Sequence, residues 1–405
     1  MALNIQKLLP QTLKIIIPLF FGLMCYYHIS TIMAGAGDEI LFLHDLNYIR
    51  SHGWVSAIAK NIGVTYLLIA YPFTYIFSDY VALRFTNVLL LALLVLYFYK
   101  IGEVKNRMFG FYLMFICGFG FFLSGTNDTL FIVAMLIFFN EVYKLIQDKE
   151  KASIPLLWSS LFVAFFTREL IYVYIPLIIL CLFLVKKKTN LLHQWYISAS
   201  VLVFLLVINI PCIEQNHHFS YDDKKPDSSV KSTWAQRQYL AQLLVNEGKI
   251  PNQTHPSWAE TDAYLKLHGE NSLPRTTGEG IFFDLKLTFL EFFKDFTSTV
   301  FLSIRQTAMM YIIVISYLVY ALFRRRKITT DLLLPFACLY IVATFSFIII
   351  SFVEPRWLLV AYILAILYYS DLEFEKKLPK IVLQFNHLVL LLTILYGSYK
   401  VMLKL

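Results

Sequence analysis

Runs of apolar residues long enough to cross a ~30 Å hydrocarbon layer recur along nearly the whole chain, and a single long polar stretch, Glu214 to Val300, interrupts them. Among 405 residues 58% are hydrophobic and 15% charged, where soluble domains carry about a quarter charged. A water-soluble fold is therefore excluded. The expectation is an all-α polytopic membrane protein with one sizeable aqueous insertion.

The formal charge of +8 does not point to nucleic acid, because the basic residues sit in short clusters beside apolar runs, as the positive-inside rule predicts for cytoplasmic loops. Cys25, Cys117, Cys181, Cys212 and Cys338 lie in or at the edge of apolar runs without metal-ligand spacing, and read as packing residues. The first run follows Lys7 and Lys14, lacks a small-residue cleavage site and reads as a retained helix.

The basic clusters fix a topology. The N-terminus, Lys100 to Arg107, Lys144 to Lys151, Lys186 to Lys188, Arg324 to Lys327 and Lys376 to Lys380 mark the cytoplasmic side, so the crossings between consecutive clusters must be even in number. From Lys100 onward helix pairs satisfy this at about 108–124 and 129–146, 153–168 and 169–186, 194–213 and 301–323, and 330–352 and 356–372. Before Lys100 there are apolar runs at about 12–34, 62–77 and 81–99, one too many. The middle run is the shortest and contains Pro72, so it is expected to lie at the membrane surface or re-enter rather than span. A last helix near 381–399 gives about eleven crossings.

This topology gathers the unusual polar groups on the outer face: Asp38, Glu39 and Asp45; Asn127 and Asp128; Arg168 and Glu169; the 214–300 loop; Glu354 and Arg356. Ionisable groups at membrane depth are expensive, and their convergence on one side marks a candidate site. After Glu39 the apolar residues Ile40, Leu43, Leu46 and Ile49 recur at helical spacing, which predicts a surface helix with Asp38 and Glu39 at its N-terminus, where carboxylates also serve as caps.

The acidic pair after the first helix, the surface helix ending in Gly53-Trp54, Lys60, the run with Pro72, Ala82-Leu83-Arg84 and Gly125-Thr126-Asn127-Asp128-Thr129-Leu130 together carry a resemblance. They resemble the polyprenyl-phosphate-sugar-dependent glycosyltransferases of the GT-C fold, which include protein O-mannosyltransferases and the bacterial enzyme that adds aminoarabinose to lipid A. Glu354-Pro355-Arg356-Trp357 extends the likeness more weakly. Where the lipid A enzymes carry an arginine shortly after the acidic pair, this chain has Ile40-Leu41-Phe42.

The resemblance implies an N-terminal membrane domain, 1–213, whose first outer loop at 35–80 carries juxtamembrane helices and the catalytic groups. An extracytoplasmic loop at 214–300 and C-terminal spans at 301–405 follow. It implies an inverting transferase of a bacterial inner membrane, its site facing the periplasm. One sugar moves from an undecaprenyl-phosphate carrier to a glycan, lipid or protein acceptor, O-antigen among them. Asp38 is the implied general base. Glu39 either orients it, binds the sugar or caps the helix, and Asp128 either binds the acceptor or holds Asp38 in place. Lys60 is the cation that the resemblance assigns to the donor phosphate; topology adds Arg168 and Arg356 at outer helix ends, and Arg84 either joins them or anchors its helix. Neighbouring Glu169 and Glu354 offer these arginines local ion pairs instead. His44, Asp45 and Glu354 are candidate substrate contacts. No cofactor or metal is indicated; His217-His218 with Asp222-Asp223 reads as solvated loop.

In the long loop, Ser232 to Glu247 is expected to form a helix, and Gly280 to Val300 an interfacial amphipathic helix leading into the next span. Its aromatic residues suit either carbohydrate stacking or packing. The alternatives are a protein O-glycosyltransferase of the same fold, a flippase or transporter of lipid-linked sugars, and an O-antigen polymerase. Arginines in the large loop, Arg237 and Arg275 here, distinguish the polymerase.

Overall fold

A computed structural model describes residues 5–35, 37–221, 230–325 and 329–405; Asp222, Asp223, Arg326 and Lys327 lie outside them. The described residues contain α-helices and short 3-10 turns and no strand. In chain order the helices are α1 (Ile5–Thr31), α2 (Glu39–Ala59), α3 (Val64–Ala70), α4 (Asp79–Lys100), α5 (Met108–Cys117) and α6 (Asp128–Ile146). There follow α7 (Ile154–Phe165), α8 (Ile171–Lys186), α9 (Trp195–Asn216), α10 (Trp234–Asn246), α11 (Trp258–His268) and α12 (Thr277–Phe283). The chain ends with α13 (Leu285–Thr307), α14 (Met310–Arg325), α15 (Leu333–Phe347), α16 (Leu359–Phe374) and α17 (Lys380–Met402).

Among the described residues seven helical stretches are long and apolar enough to cross a membrane: Leu8–Thr31, Asp79–Lys100, Asp128–Ile146, Trp195–Asn216, Thr330–Phe347, Pro355–Phe374 and Lys380–Met402. The chain is thus a polytopic membrane protein by length and composition. α5, α7, α8 and α14 are apolar but shorter. α3 has seven residues and runs into one 3-10 stretch, Tyr71–Tyr75, so the segment with Pro72 falls well short of ~30 Å at 1.5 Å per residue.

The chain divides into two compact units. The larger comprises residues 1–222, 303–338 and 359–405. At its centre stands α6: 94% of its apolar window is buried, against 22% in α1, α9 and α17, which leave most of their apolar surface outward for lipid. α6 packs on α4, α7, α8 and α16, while α1 packs on α5 and α17.

Near its C-terminal end α6 holds Glu141 and Lys144, both fully buried and paired at 2.7 Å. Glu141 also accepts from the Tyr97 hydroxyl at 2.6 Å and the Ser153 amide at 2.7 Å, and Lys144 donates to the carbonyls of Ile101 and Lys151. Lys144, read from the sequence as the start of a basic cluster that marks the cytoplasmic side, is buried as a lock between two turns. Such a pair survives burial because its remaining donors and acceptors are met.

Several helix ends move from their sequence expectations for identifiable reasons. α5 stops at Cys117, where Gly118 and Gly120 (φ 86°) end it. The interfacial helix expected over 280–300 breaks at Asp284, and α13 continues to Thr307; Ala308, at φ 51°, then separates it from α14. The Asn386 side chain accepts the Met309 amide at 3.0 Å and so fixes that break.

The second unit comprises 223–302 with 339–358. α10 forms where the sequence predicts a helix, opened by a capping box in which Thr233 and Gln236 satisfy each other's backbone amides. Tyr239, Leu240, Leu265 and Leu273 form its small core together with Ile349, which brings the segment bearing Glu354 and Arg356 into this unit.

Candidate active site

The turn that follows α1 reverses through Gly35 and Gly37, both at positive φ, and delivers Glu39 as the first residue of α2. Glu39 is 1% exposed. Each of its oxygens accepts two hydrogen bonds: Oε1 from Arg84 Nε at 2.8 Å and the Gly125 amide at 2.9 Å, Oε2 from Arg84 Nη2 at 2.8 Å and the Gly35 amide at 2.8 Å. The fork of Arg84 thus grips the carboxylate edge-on, the geometry in which arginine binds carboxylates most strongly. Arg84 Nη2 also donates to the Met33 carbonyl at 3.2 Å. One carboxylate therefore ties the α1–α2 turn, α4 and the segment before α6 together.

That segment, 124–128, is held from a second side by Asn87, one turn along α4 from Arg84. The Asn87 amide donates to the carbonyls of Ser124 and Thr126. Asp128, the first residue of α6, accepts from the Thr126 hydroxyl at 3.0 Å and forms an ion pair with Arg168. The Asn127 amide donates to the Thr167 carbonyl at 3.1 Å, and Thr65 of α3 donates to the Phe166 carbonyl at 2.6 Å. Close approach requires glycine at 125: a Cβ there would stand 2.5 Å from Leu83 Cβ and 2.8 Å from Glu39 Oε1.

The structure thus brings together Glu39, Arg84, Asp128 and Arg168. Arg168 forms an ion pair with Asp128, and Arg84 is a partner of Glu39 rather than only a helix anchor. Asp38 occupies the N-cap position of α2, half-buried, in helical conformation and without a side-chain capping bond, so the expected cap does not form. His44 is exposed and Asp45 half-buried on α2. Lys60, at the end of α2 beyond the Gly53 kink, is exposed with its ammonium 4.3 Å from the centre of the Tyr48 ring, and makes no ion pair among the described residues. Arg356 and Glu354 pair with each other in the second unit. Asn87 was missed by sequence reading, although a polar amide inside an apolar helix is itself a signal.

To take a proton from a substrate hydroxyl, Glu39 would have to release one of four donors, and Asp128 would have to release Thr126 or Arg168. Comparison with family models, curated proteins and solved structures found no match.

In the loop unit, Arg237 donates to the Pro256 carbonyl at 2.7 Å and lies 4.9 Å from the Trp258 ring, and burial holds its guanidinium pKa below the usual value. Arg275 is exposed and pairs with Glu270 at 3.2 Å. Both arginines are thus engaged locally. His218 Nδ1 lies 2.8 Å from the Phe219 carbonyl; its sequence neighbours Asp222 and Asp223 are outside the described residues.

Proposed function

We propose that this chain is an inverting glycosyltransferase of the GT-C type that moves one sugar from a polyprenyl-phosphate carrier to an extracytoplasmic acceptor, an O-antigen or other surface glycan. The observation that carries the reading is the Glu39 clamp: a buried carboxylate, bound by Arg84 and the Gly125 amide, joins the turn bearing Asp38 to the segment bearing Asp128. Scattered helix-end charges require no such convergence of three chain segments. The reading takes the four shorter apolar helices, α5, α7, α8 and α14, as further crossings beside the seven long ones, and puts α2 and α3 in the first outer loop. On this reading the site faces the periplasm of a bacterial inner membrane.

In the proposed reaction Asp38 accepts the proton of the acceptor hydroxyl as that oxygen attacks the anomeric carbon. The bond from that carbon to the phosphate oxygen breaks on the opposite face, and the lipid monophosphate leaves with the electron pair. Lys60, with no carboxylate partner among the described residues, neutralises the leaving phosphate. Glu39 and Asp128, saturated by their donors, hold the frame.

Asp38→Asn keeps size and backbone geometry but cannot accept the proton, and loss of a positioned base costs ~10²- to 10⁴-fold in rate. Mass spectrometry of the surface glycan from cells carrying Asp38→Asn, beside wild type and cells without the protein, tests this. A glycan modified as in wild type removes Asp38 from the mechanism, and a glycan identical with and without the wild-type protein removes the function.

A further inference from the structure

α2 consists of two limbs. Gly53, at φ 81° and ψ 166°, breaks the helical dihedrals in a region that glycine alone enters freely, and the limb after it folds back toward the limb before it. Twelve residues of straight helix would span about 18 Å at 1.5 Å per residue. The Lys60 ammonium nonetheless lies 4.3 Å from the centre of the Tyr48 ring, and the Ser56 hydroxyl lies 3.2 Å from the Tyr48 hydroxyl. The bend thus makes Tyr48 the meeting point of both limbs.

A second basic group meets the same ring. His52, the last residue before the bend, stacks on Tyr48 with ring centroids 4.2 Å apart and planes within 12°. The Ser51 hydroxyl, 2.7 Å from His52 Nδ1, fixes the rotation of the imidazole and leaves Nε2 without a hydrogen-bond partner among the described residues. Lys60 has no carboxylate partner among them either, whereas Arg50 on the same helix is committed to Asp79 through both terminal nitrogens. A lysine chain ordinarily samples many rotamers, and the Tyr48 face holds this one in place before any ligand arrives. His52 and Lys60 are exposed, and together they present an ammonium and, when protonated, an imidazolium, donors that suit the several oxygens of one phosphate.

We propose that His52 and Lys60, set on the Tyr48 ring by the Gly53 bend, form a clamp for the phosphate of a polyprenyl monophosphate. The inference rests on the reading of Lys60 given above and adds His52, Tyr48 and the bend to it. Tyr48 stands ten residues along α2 from Asp38, about 15 Å by helical rise before the side chains shorten the gap, so base and clamp meet different ends of one sugar phosphate.

The test uses the full chain in a nonionic, phosphate-free detergent, with bound lipid counted by native mass spectrometry. Wild type is expected to retain undecaprenyl phosphate in preference to undecaprenol, which lacks the phosphate. His52→Gln and Lys60→Ala should each weaken that retention about tenfold, as loss of one hydrogen bond to a charged group implies. Tyr48→Leu, which keeps both basic groups and removes their platform, should weaken it as well. Equal retention of undecaprenol overturns the clamp, and so does unchanged retention in both His52→Gln and Tyr48→Leu. Displacement by phosphatidylglycerol at equal concentration makes the site a contact with bulk lipid, and displacement by inorganic phosphate makes it a site for the free ion; either overturns the polyprenyl assignment. Unchanged retention in these two variants beside an inactive Asp38→Asn removes the clamp alone, whereas a surface glycan identical with and without the protein removes the transferase reading while phosphate retention stands.

Discussion

Gly125→Ala adds one methyl group to the chain, and the structure states what that group meets. Its Cβ would stand 2.5 Å from Leu83 Cβ, an atom fixed to the α4 backbone, and 2.8 Å from Glu39 Oε1. Restoring an ordinary carbon–carbon contact near 3.5–4.0 Å requires the 124–126 segment and α4 to part by about 1 Å. That displacement stretches the bond from the Gly125 amide to Glu39 from 2.9 Å to beyond hydrogen-bonding range. Overpacking costs about 1–3 kcal/mol and a lost hydrogen bond to a buried charge about 1.5–3 kcal/mol, so a loss of about 3–5 kcal/mol is expected. With an unfolding entropy of roughly 2.1 cal/mol/K per residue over 405 residues, this lowers the unfolding temperature by about 4–6 °C. Gly22 supplies the control, because a Cβ there meets nothing within 4 Å and the residue lies inside α1. Gly22→Ala should leave stability unchanged or raise it by about 0.5–1 kcal/mol through helix propensity. With both variants purified in one detergent and heated while tryptophan fluorescence is followed, the unfolding temperature of Gly125→Ala should fall and that of Gly22→Ala should hold or rise. An unfolding temperature of Gly125→Ala at or above wild type would refute the close approach and the clamp built on it.

Three further outcomes are expected. Single cysteines at Lys105 and Glu169, both exposed, should divide by side: an impermeant thiol reagent outside the membrane labels the second and spares the first, and reversed labelling inverts the topology. Lys60→Ala should weaken binding of a polyprenyl-phosphate sugar while Arg356→Ala, whose partner is Glu354, leaves it near wild type; unchanged binding in Lys60→Ala removes it from the phosphate site. Asp295, which lies outside the candidate spans, is pushed up to about 7 by burial and by the charge of Glu291. The folded chain therefore retains a proton that the unfolded chain releases near its ordinary value of 3.8, so this group's contribution to stability declines as pH rises from about 4 through about 7. Asp295→Asn should flatten that decline in the unfolding temperature, and an unaltered profile would show that Asp295 is not its source.

The helices were legible because a membrane chain must satisfy its backbone within each span, so apolar length alone predicts the element. Helix ends were less so: α5 stops at a glycine step, and α13 ends at Ala308, whose left-handed conformation no local pattern announces. Within the site, Asp38, Glu39 and Asp128 stand out because charge beside apolar runs is costly, and Glu354 with Arg356 can be paired from adjacency. The other pairs could not be read. Glu39 and Arg84 are 45 residues apart, and nothing in the sequence records how α2 and α4 are rotated against each other. The same lack of register hid the pairing of Arg168 with Asp128.

The lock inside α6 bears on how the chain is made. When synthesis has reached Ile146, Glu141 and Lys144 already have Tyr97 and the Ile101 carbonyl available from upstream chain, but the Ser153 amide and the Lys151 carbonyl have yet to emerge. A lone α6 then carries two ionised groups whose shell of partners is half complete, a segment that lipid alone accepts poorly. The 147–153 turn supplies the missing donor and acceptor and brings α7 against α6 in the same step. On the proposed topology α6 and α7 are expected to enter the bilayer as a hairpin, and a nascent chain truncated between them should remain at the translocon rather than partition into lipid.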